Sequence, residues 1–193
     1  MSSYMNNLFN VFQKGLNREL IMCNKVLWLT GLSGSGKTTI ANGLSSELVK
    51  LNKKVKILDG DNIRNSIHTE LGFTPGDIEI NNKKIARMCK EMIKDFEIII
   101  VPIISPFSSL RKVAREIIGP HFFEIYVMAS INTVQLRDVK GLYKKVAEGK
   151  IENFIGIDPL VPYEVPENPD FILNTEEESK SESVMRLLEF CNH

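Results

Sequence analysis

The residue types best suited to chemistry stand in a glycine-rich segment at positions 31–39, GLSGSGKTT. This segment matches the pattern G-x-x-x-x-G-K-[ST], with Lys37 and Thr38 in the last two places. In such a loop the backbone N–H groups turn toward phosphate oxygens, and the positive end of the following helix faces the same anion. We therefore expect the Lys37 ammonium to reach the β- and γ-phosphates of a nucleotide, and the Thr38 hydroxyl to face Mg²⁺.

The residues on either side of this loop have the order that phosphate binding requires. Positions 26–29 form an apolar run typical of a buried strand, and Ile40, Leu44, Leu48 and Leu51 follow with helical spacing. A glycine-rich turn without a ligand is the alternative. The strand on one side and the helix on the other favour the phosphate-binding loop.

A pair of carboxylates, Asp59 and Asp61, follows the second strand, which is expected at positions 53–58. Because ligands of open α/β sheets bind beyond the carboxyl ends of the strands, these carboxylates should lie beside the phosphate loop. There they could hold Mg²⁺-bound water or accept the proton of an attacking hydroxyl. The alternative is an acidic turn in which Asp61 or Asn62 caps the next helix. The nearby phosphate loop favours the catalytic role.

Composition restricts the class of protein. The 193 residues suffice for one domain, and 24 basic residues balance 24 acidic ones, so no overall charge attracts nucleic acid or an anionic membrane. The three cysteines, Cys23, Cys89 and Cys191, are far apart and match no metal-binding or disulfide spacing. We see neither a secretory signal nor an apolar run long enough to span a bilayer, and we therefore expect a cytoplasmic protein.

The rest of the chain alternates between strand and helix patterns. Further strands are expected at 98–104, 122–128 and 170–173, and helices at 38–51, 63–71, 78–96, 109–118 and 181–190. This alternation predicts a doubly wound α/β domain at residues 25–193. Residues 1–24 have the spacing of an amphipathic helix and are expected to form an extension.

Residues 137–167 differ from the rest because they are poorly periodic, with a basic start and with Gly and Pro later on. A long irregular stretch in a compact domain indicates a lid or an insertion. Lys140, Lys144 and Lys145 could meet phosphates when such a lid closes. The alternative for Lys144 and Lys145 is a solvated lysine face.

An ordered set of short motifs resembles the adenylylsulfate kinase family, also called adenosine-5′-phosphosulfate (APS) kinases. The motifs are GLSGSGKTT, DGDNIR, LGF, ISPF, EIYV, KGLYKK and FIGID followed by PYE, within residues 26–191. The resemblance implies a P-loop NTPase-type three-layer α/β domain with a mostly parallel sheet, helices on both faces and a mobile lid. It also implies transfer of the ATP γ-phosphoryl group to the 3′-hydroxyl of APS with Mg²⁺. Members of the family are often homodimers.

The resemblance further implies roles for individual residues. Those implied to bind ATP are Gly31, Ser33, Gly34, Ser35, Gly36, Lys37, Thr38 and Thr39. The implied catalytic residues are Lys37, Asp61 and Asp59, with Thr38 and Asp61 at the metal. Those implied to bind the acceptor nucleotide are Arg64, Phe73, Asn81, Ile104, Ser105, Lys140 and Leu142, with Phe73 stacked on the base. From residue types alone, Phe73 would more often be a core residue and Arg64 a solvated helix residue.

The chain departs from the family pattern on the acceptor side. Ile78 stands where the family has an arginine, and Leu110 stands where it has an aspartate. The other differences are Lys83 and Lys84 for an Arg-Arg pair, Ser108 for an arginine, and the additional residues Leu160 and Val161 in the lid. These differences leave open a related kinase of another nucleotide-linked acceptor, such as cytidine diphosphoramidate.

Two alternatives come from another functional class. The first is a nucleotide-binding switch, against which stands the lack of the guanine-binding pattern Asn-Lys-x-Asp. The second is an inactive paralogue, against which stand the intact residues Lys37, Thr38, Asp59 and Asp61.

Overall fold

A five-stranded parallel sheet forms the centre of the molecule. The computed structural model describes residues 24–66 and 69–192. The strands are β1 (Lys25–Thr30), β2 (Val55–Ile57), β3 (Ile98–Pro102), β4 (Phe122–Met128) and β5 (Phe171–Asn174), in the spatial order β2-β3-β1-β4-β5. Because the chain continues to opposite sides of β1, the crevice at the carboxyl end of β1 is where such sheets bind ligands.

Helices lie on both faces of this sheet. In chain order they are α1 (Lys37–Lys50), α2 (Gly60–Ser66), α3 (Pro75–Met92), α4 (Ser108–Ile118), α5 (Ile131–Arg137), α6 (Leu142–Ala147) and α7 (Lys180–Cys191), with a 3₁₀ turn at Gly119–His121. In the described ranges, no helix is both long enough and apolar enough to cross a membrane.

Alternate residues of β1 belong to two separate cores. Trp28 packs with Ile85 of α3 on one face of the sheet, and Leu27 packs with Leu44 of α1 and Leu187 of α7 on the other face. Successive strand residues point to opposite faces, so a strand buried on both sides needs a continuous apolar run. The structure confirms the expected three layers. Burial on both faces of the sheet holds β1 in place, and the phosphate loop follows directly from the end of this strand.

Two helices begin three residues earlier than predicted because the capping residues lie upstream. Asp59 Oδ1 accepts hydrogen bonds from the backbone N–H groups of Asp61 and Asn62 at 3.0 and 3.1 Å, so α2 begins at Gly60 and its cap is Asp59. The alternative in which Asp61 or Asn62 caps this helix is therefore wrong. Thr74 caps α3 reciprocally with Asp77, which moves the start of α3 to Pro75.

The segment at residues 137–167 is more ordered than its sequence pattern indicates. It contains α6, and α5 ends at its first residue, although no helix was predicted at either place. These helices have six and seven residues, too few for a periodic apolar pattern to emerge. Residues 148–167 have no helix or strand, as expected, but Ile155 and Val161 are buried. The helix expected over residues 1–24 lies outside the described residues, apart from Asn24.

Candidate active site

The phosphate loop joins the end of β1 to the start of α1. Gly36 precedes the helix with φ 102°, a left-handed conformation that glycine adopts without the steric cost that a side chain would add. At Gly31 a Cβ atom would come within 2.4 Å of the Val127 carbonyl oxygen, so a larger residue would not fit. Both glycines are therefore required by the geometry of the loop, as the motif predicts.

Lys37 is folded back into this loop. Its Nζ donates to the carbonyl oxygens of Gly31 at 2.8 Å and Leu32 at 2.7 Å, and the residue is buried. Burial lowers the pKa of Lys37 to about 7, with Lys140 acting in the same direction and Asp61 and Asp59 opposing it. The ammonium therefore lies within the ring of the phosphate loop and can exchange carbonyl contacts for phosphate oxygens.

The two predicted carboxylates have different environments. Asp59 caps α2, and its Oδ2 also accepts from the Thr38 hydroxyl at 3.2 Å. Asp61 is exposed, and its Oδ2 accepts from Lys140 Nζ at 2.6 Å. Asp61 is thus the carboxylate that a substrate can reach, while Asp59 orients Thr38.

A cavity of about 140 Å³ opens in front of the phosphate loop. Its lining includes most of the predicted ATP-binding residues: Ser33, Gly34, Gly36, Lys37, Thr38 and Thr39. Gly31 and Ser35 are buried in the loop itself. The rest of the lining includes Asp61, Ile104, Lys140 and Leu142.

A second cavity, of about 310 Å³, lies beside the first and shares five lining residues with it. The shared residues are Ser33, Asp61, Ile104, Lys140 and Leu142, and the remaining wall comes from Arg64, Phe73 and the lid residues 151–155. Asp61 and Lys140 therefore stand at the boundary between the two spaces. A hydroxyl group in the second cavity and a phosphate in the first would meet at Asp61.

Phe73 and Arg64 form the side of the second cavity opposite the lid. Phe73 is 48% exposed, so the expectation of a core phenylalanine from residue type alone is wrong. Arg64 is buried rather than solvated, donates to the Gly72 carbonyl, and lies 4.6 Å from the centre of the Phe73 ring. An exposed ring backed by a guanidinium is suited to stacking on a nucleotide base.

Asn81 and Ser105 reach a smaller space of about 30 Å³ next to Arg64 and Phe73. Both are buried, and Ser105 Oγ accepts from Asn82 Nδ2 at 3.2 Å. The structure therefore brings all seven predicted acceptor residues around two adjoining spaces. Lys144 and Lys145 are exposed on α6 and line neither cavity, which favours the solvated interpretation.

Three of the departures from the family pattern lie together. Ile78 of α3, Leu110 of α4 and Val161 of the lid form one buried apolar cluster with Ile155, which we call the lid cluster. Ile104 and Phe107 pack against it. Ile78 and Leu110, which stand where the family pattern has charged residues, thus pack with Val161, one of the additional lid residues.

Sequence reasoning missed two residues that support the phosphate loop. The Tyr143 hydroxyl donates to the Ser33 carbonyl at 2.8 Å, and the Thr175 hydroxyl donates to that of Ser35 at 3.0 Å. Thr175 directly follows β5. The sequence signal for Thr175 is its position, because ligands of such sheets bind beyond the carboxyl ends of the strands. Tyr143 stands in the KGLYKK motif, but its sequence gives no indication of its partner.

Known proteins resemble this chain along most of its length. The adenylylsulphate kinase family model matches residues 23–174. The adenylyl-sulfate kinase of Bacteroides thetaiotaomicron is 43% identical over 190 residues, which cover 95% of this chain and 94% of that protein. The corresponding enzyme of Bacillus pumilus is 42% identical over 166 residues, covering 86% of this chain and 83% of that protein.

A solved structure matches the fold over nearly the same range. The structure of the APS kinase of Mycobacterium tuberculosis in complex with AMPPNP and APS has a TM-score of 0.83 and 33% sequence identity, and the match covers 88% of this chain and 98% of that chain. This chain therefore combines a phosphate loop, the boundary carboxylate of Asp61 and the exposed ring of Phe73, and it resembles these kinases along most of its length. The chain belongs to the adenylylsulfate kinase family.

Proposed function

We propose that this protein transfers the γ-phosphoryl group of ATP to the 3′-hydroxyl of APS and forms 3′-phosphoadenylylsulfate. The observation that carries the proposal is the position of Asp61, whose carboxylate lines both the phosphate-loop cavity and the cavity walled by Phe73 and Arg64. A kinase requires such a shared boundary because the donor phosphorus and the acceptor oxygen must approach in line. The family and the M. tuberculosis structure with AMPPNP and APS support the same reaction.

In this proposal the phosphate loop and Lys37 hold the ATP phosphates, and Phe73 stacks on the adenine of APS. Asp61 accepts a hydrogen bond from the 3′-hydroxyl and takes its proton late, because phosphoryl transfer demands little base strength. Lys140 pairs with Asp61 Oδ2 at 2.6 Å, and the other carboxylate oxygen, Oδ1, can accept from the hydroxyl while this pair is kept. The Lys140 ammonium can offset charge on the transferring group.

The donor set fits Mg²⁺. This ion is usually held by one or two carboxylates together with substrate phosphates and water, and Thr38 and Asp61 lie at the cavity where those phosphates would be. We propose that these two residues hold Mg²⁺, with Asp59 orienting Thr38. The bound ion would neutralise phosphate charge.

Assembly and location belong to the same proposal. We expect a homodimer, and a structurally similar APS kinase from Thiobacillus denitrificans is described as hexameric. That match has a TM-score of 0.65 and 28% identity, and it covers 92% of this chain and 31% of that one. We expect the protein to act on free nucleotides in the cytoplasm.

The test is product identification. Purified protein with Mg²⁺, γ-labelled ATP and APS should yield one labelled product that co-elutes with 3′-phosphoadenylylsulfate. The 3′-deoxy analogue of APS is the matched control and should remain unlabelled. Label released only as inorganic phosphate would indicate a nucleotide switch, and binding of ATP without turnover would indicate an inactive paralogue; either result would contradict the proposal.

A further inference from the structure

Arg111 of α4 carries a buried charge that the site described above does not use. Only 2% of the residue is exposed, and its Nε donates to Glu124 Oε1 of β4 at 2.6 Å. A buried charge is costly unless it is paired and its remaining donors are hydrogen-bonded. The other contacts of the guanidinium therefore indicate what this charge supports.

The two terminal nitrogens of Arg111 bind three backbone carbonyls. Nη1 donates to the carbonyl oxygens of Ser105 at 2.8 Å and Pro106 at 3.0 Å, and Nη2 donates to that of Glu164 at 2.8 Å. Ser105 and Pro106 belong to the loop after β3, which borders the acceptor space, and Glu164 belongs to the lid segment. One planar group thus joins α4, the acceptor loop and the lid.

Ser105 has a backbone conformation that requires such support. Its φ is 45°, in the left-handed region that residues other than glycine rarely adopt. A residue persists in this region only where the surrounding structure holds it. Here Asn82 holds the side chain, and the carbonyl accepts from Arg111 at 2.8 Å and from the Thr30 hydroxyl at 3.3 Å. Without Arg111, the carbonyl would keep only the longer of these two bonds, so Ser105 could relax and shift the wall of the acceptor space.

Two further hydrogen bonds attach the lid to the same loop and to the first residue of α4. The backbone N–H of Glu164 donates to the Pro106 carbonyl at 2.9 Å, and the backbone N–H of Ser108 donates to Glu164 Oε2 at 2.6 Å. Together with the Arg111 bond, these contacts make the acceptor loop and residue 164 one unit. A change in one should therefore be transmitted to the other.

We propose that Arg111 is a positioning residue for the acceptor nucleotide, which holds the Ser105 wall of the acceptor space and ties it to the lid at Glu164. The inference rests on the proposed function, because the space that Arg111 shapes is the one assigned to APS. An arginine is required because its planar fork presents five donors in fixed directions. A lysine ammonium has three donors and cannot reach a carboxylate and three carbonyls together.

The test compares two identical substitutions on one helix. Arg111→Lys keeps the charge and removes the fork, so the KM for APS should rise about tenfold or more, with the KM for ATP changed less than about twofold. The control is Arg115→Lys, one turn further along α4, whose contacts are with Phe122, Glu124 and Asp170. Both KM values of this control should stay within about twofold of the wild type.

A measurement on the unmodified protein covers the case in which Arg111→Lys does not fold. In hydrogen exchange, APS should protect the peptides that contain residues 103–107 and 160–166 together, whereas AMPPNP alone should protect neither. Protection of residues 103–107 without 160–166 would overturn the proposed tie.

The outcomes separate this inference from the proposed function. A wild-type protein that does not phosphorylate APS would contradict the function itself. An active wild type together with a folded Arg111→Lys variant that keeps the wild-type KM for APS, or that raises both KM values equally, would overturn only the positioning role.

Discussion

Asp59 and Asp61 are separated by a single glycine, yet their carboxylates have different partners. Asp59 accepts from two backbone N–H groups of α2 and from Thr38, so all three contacts are internal to the fold. Asp61 is exposed and contacts Lys140, a residue of the lid segment. We therefore assign helix capping and Thr38 orientation to Asp59, and the reacting hydroxyl to Asp61.

Alanine substitutions should separate these two assignments. Asp61→Ala should reduce kcat by about 10²-fold or more, because Asp61 lines both cavities and is placed to accept the hydroxyl proton, with little change in ATP affinity or melting temperature. Asp59→Ala should lower the free energy of unfolding by about 1 kcal/mol, the typical value of a lost N-cap. Steady-state kinetics and urea unfolding measure the two effects. Wild-type turnover by Asp61→Ala would remove this residue from the chemistry.

The burial of Lys37 predicts a proton uptake linked to ATP binding. Its pKa is about 7 in the folded protein, below the ordinary value of 10.5. Between these values the unfolded chain binds more protons, so this group makes stability rise with pH across that window, and the full cost of burying its charge remains below pH 7. Phosphate favours the charged ammonium, so ATP binding above pH 7 should return the proton.

Calorimetry in two buffers of different ionisation enthalpy measures this uptake. At pH 8.5, ATP binding by the wild type should take up about one proton more than binding by Lys37→Arg, whose guanidinium stays charged. At pH 6 the difference should be close to zero, because Lys37 is already protonated. An equal uptake by both proteins at pH 8.5 would show that Lys37 is charged before ATP binds.

The residues proposed to bind ATP could be predicted from the sequence because they lie next to one another in one short segment. Lys37 and Thr38 follow Gly36 directly, and the loop conformation depends on these neighbours. The acceptor side joins distant segments, and Phe73 was expected to bind there only through the family resemblance. The sequence does not indicate that 48% of Phe73 is exposed, because this exposure depends on which residues pack around the turn.

At the scale of elements, the lid has two halves with different attachments. In the first half, Lys140 contacts Asp61 and Tyr143 contacts the phosphate loop, so both contacts are at the site. In the second half, Ile155 and Val161 are buried in the lid cluster, and Glu164 is bonded to Arg111. We expect the first half to move when the acceptor binds and the second half to remain a fixed wall.

Adjacent residues of the lid allow a matched test of that wall. Val161 is 0% exposed, so Val161→Ala should cost about 1–3 kcal/mol of local stability through lost burial and a residual cavity. Leu160 is 70% exposed, so Leu160→Ala should change stability by less than about 0.5 kcal/mol. Hydrogen exchange of residues 155–164 measures both. Equal exchange in the two variants would mean that the lid cluster does not anchor this half.

Elements with a clear apolar pattern could be predicted, including the short strands β2 and β5. The strand at Phe122–Met128 agrees with its predicted range, α4 begins one residue earlier than predicted, and α7 is longer by one residue at each end. Helices α5 and α6 were missed because six or seven residues are too few for a periodic apolar pattern, and contacts with distant residues, such as the Tyr143–Ser33 bond, are not visible in the sequence. The lid cluster was also missed, because its members come from three distant parts of the chain.

At the scale of the whole molecule, the parallel sheet brings the functional loops to one edge. The phosphate loop follows β1, the Asp59–Asp61 turn follows β2, and the acceptor loop follows β3. Neighbouring parallel strands end at the same edge, so residues far apart in sequence meet without any special contact. This topology could be predicted from the alternation of strands and helices. The choice of acceptor could not be predicted in this way, because it depends on the side chains that fill the crevice.

The central claim is that this crevice is built for APS, even though Ile78 and Leu110 replace charged residues of the family pattern. The most direct measurement is kcat/KM for APS compared with cytidine diphosphoramidate, at saturating Mg²⁺ and ATP. We expect APS to be preferred by about 100-fold or more, because its adenine offers the Phe73 ring a larger stacking area than cytosine does and the relatives of this chain are adenylyl-sulfate kinases. Equal or better use of the cytidine acceptor would contradict the account.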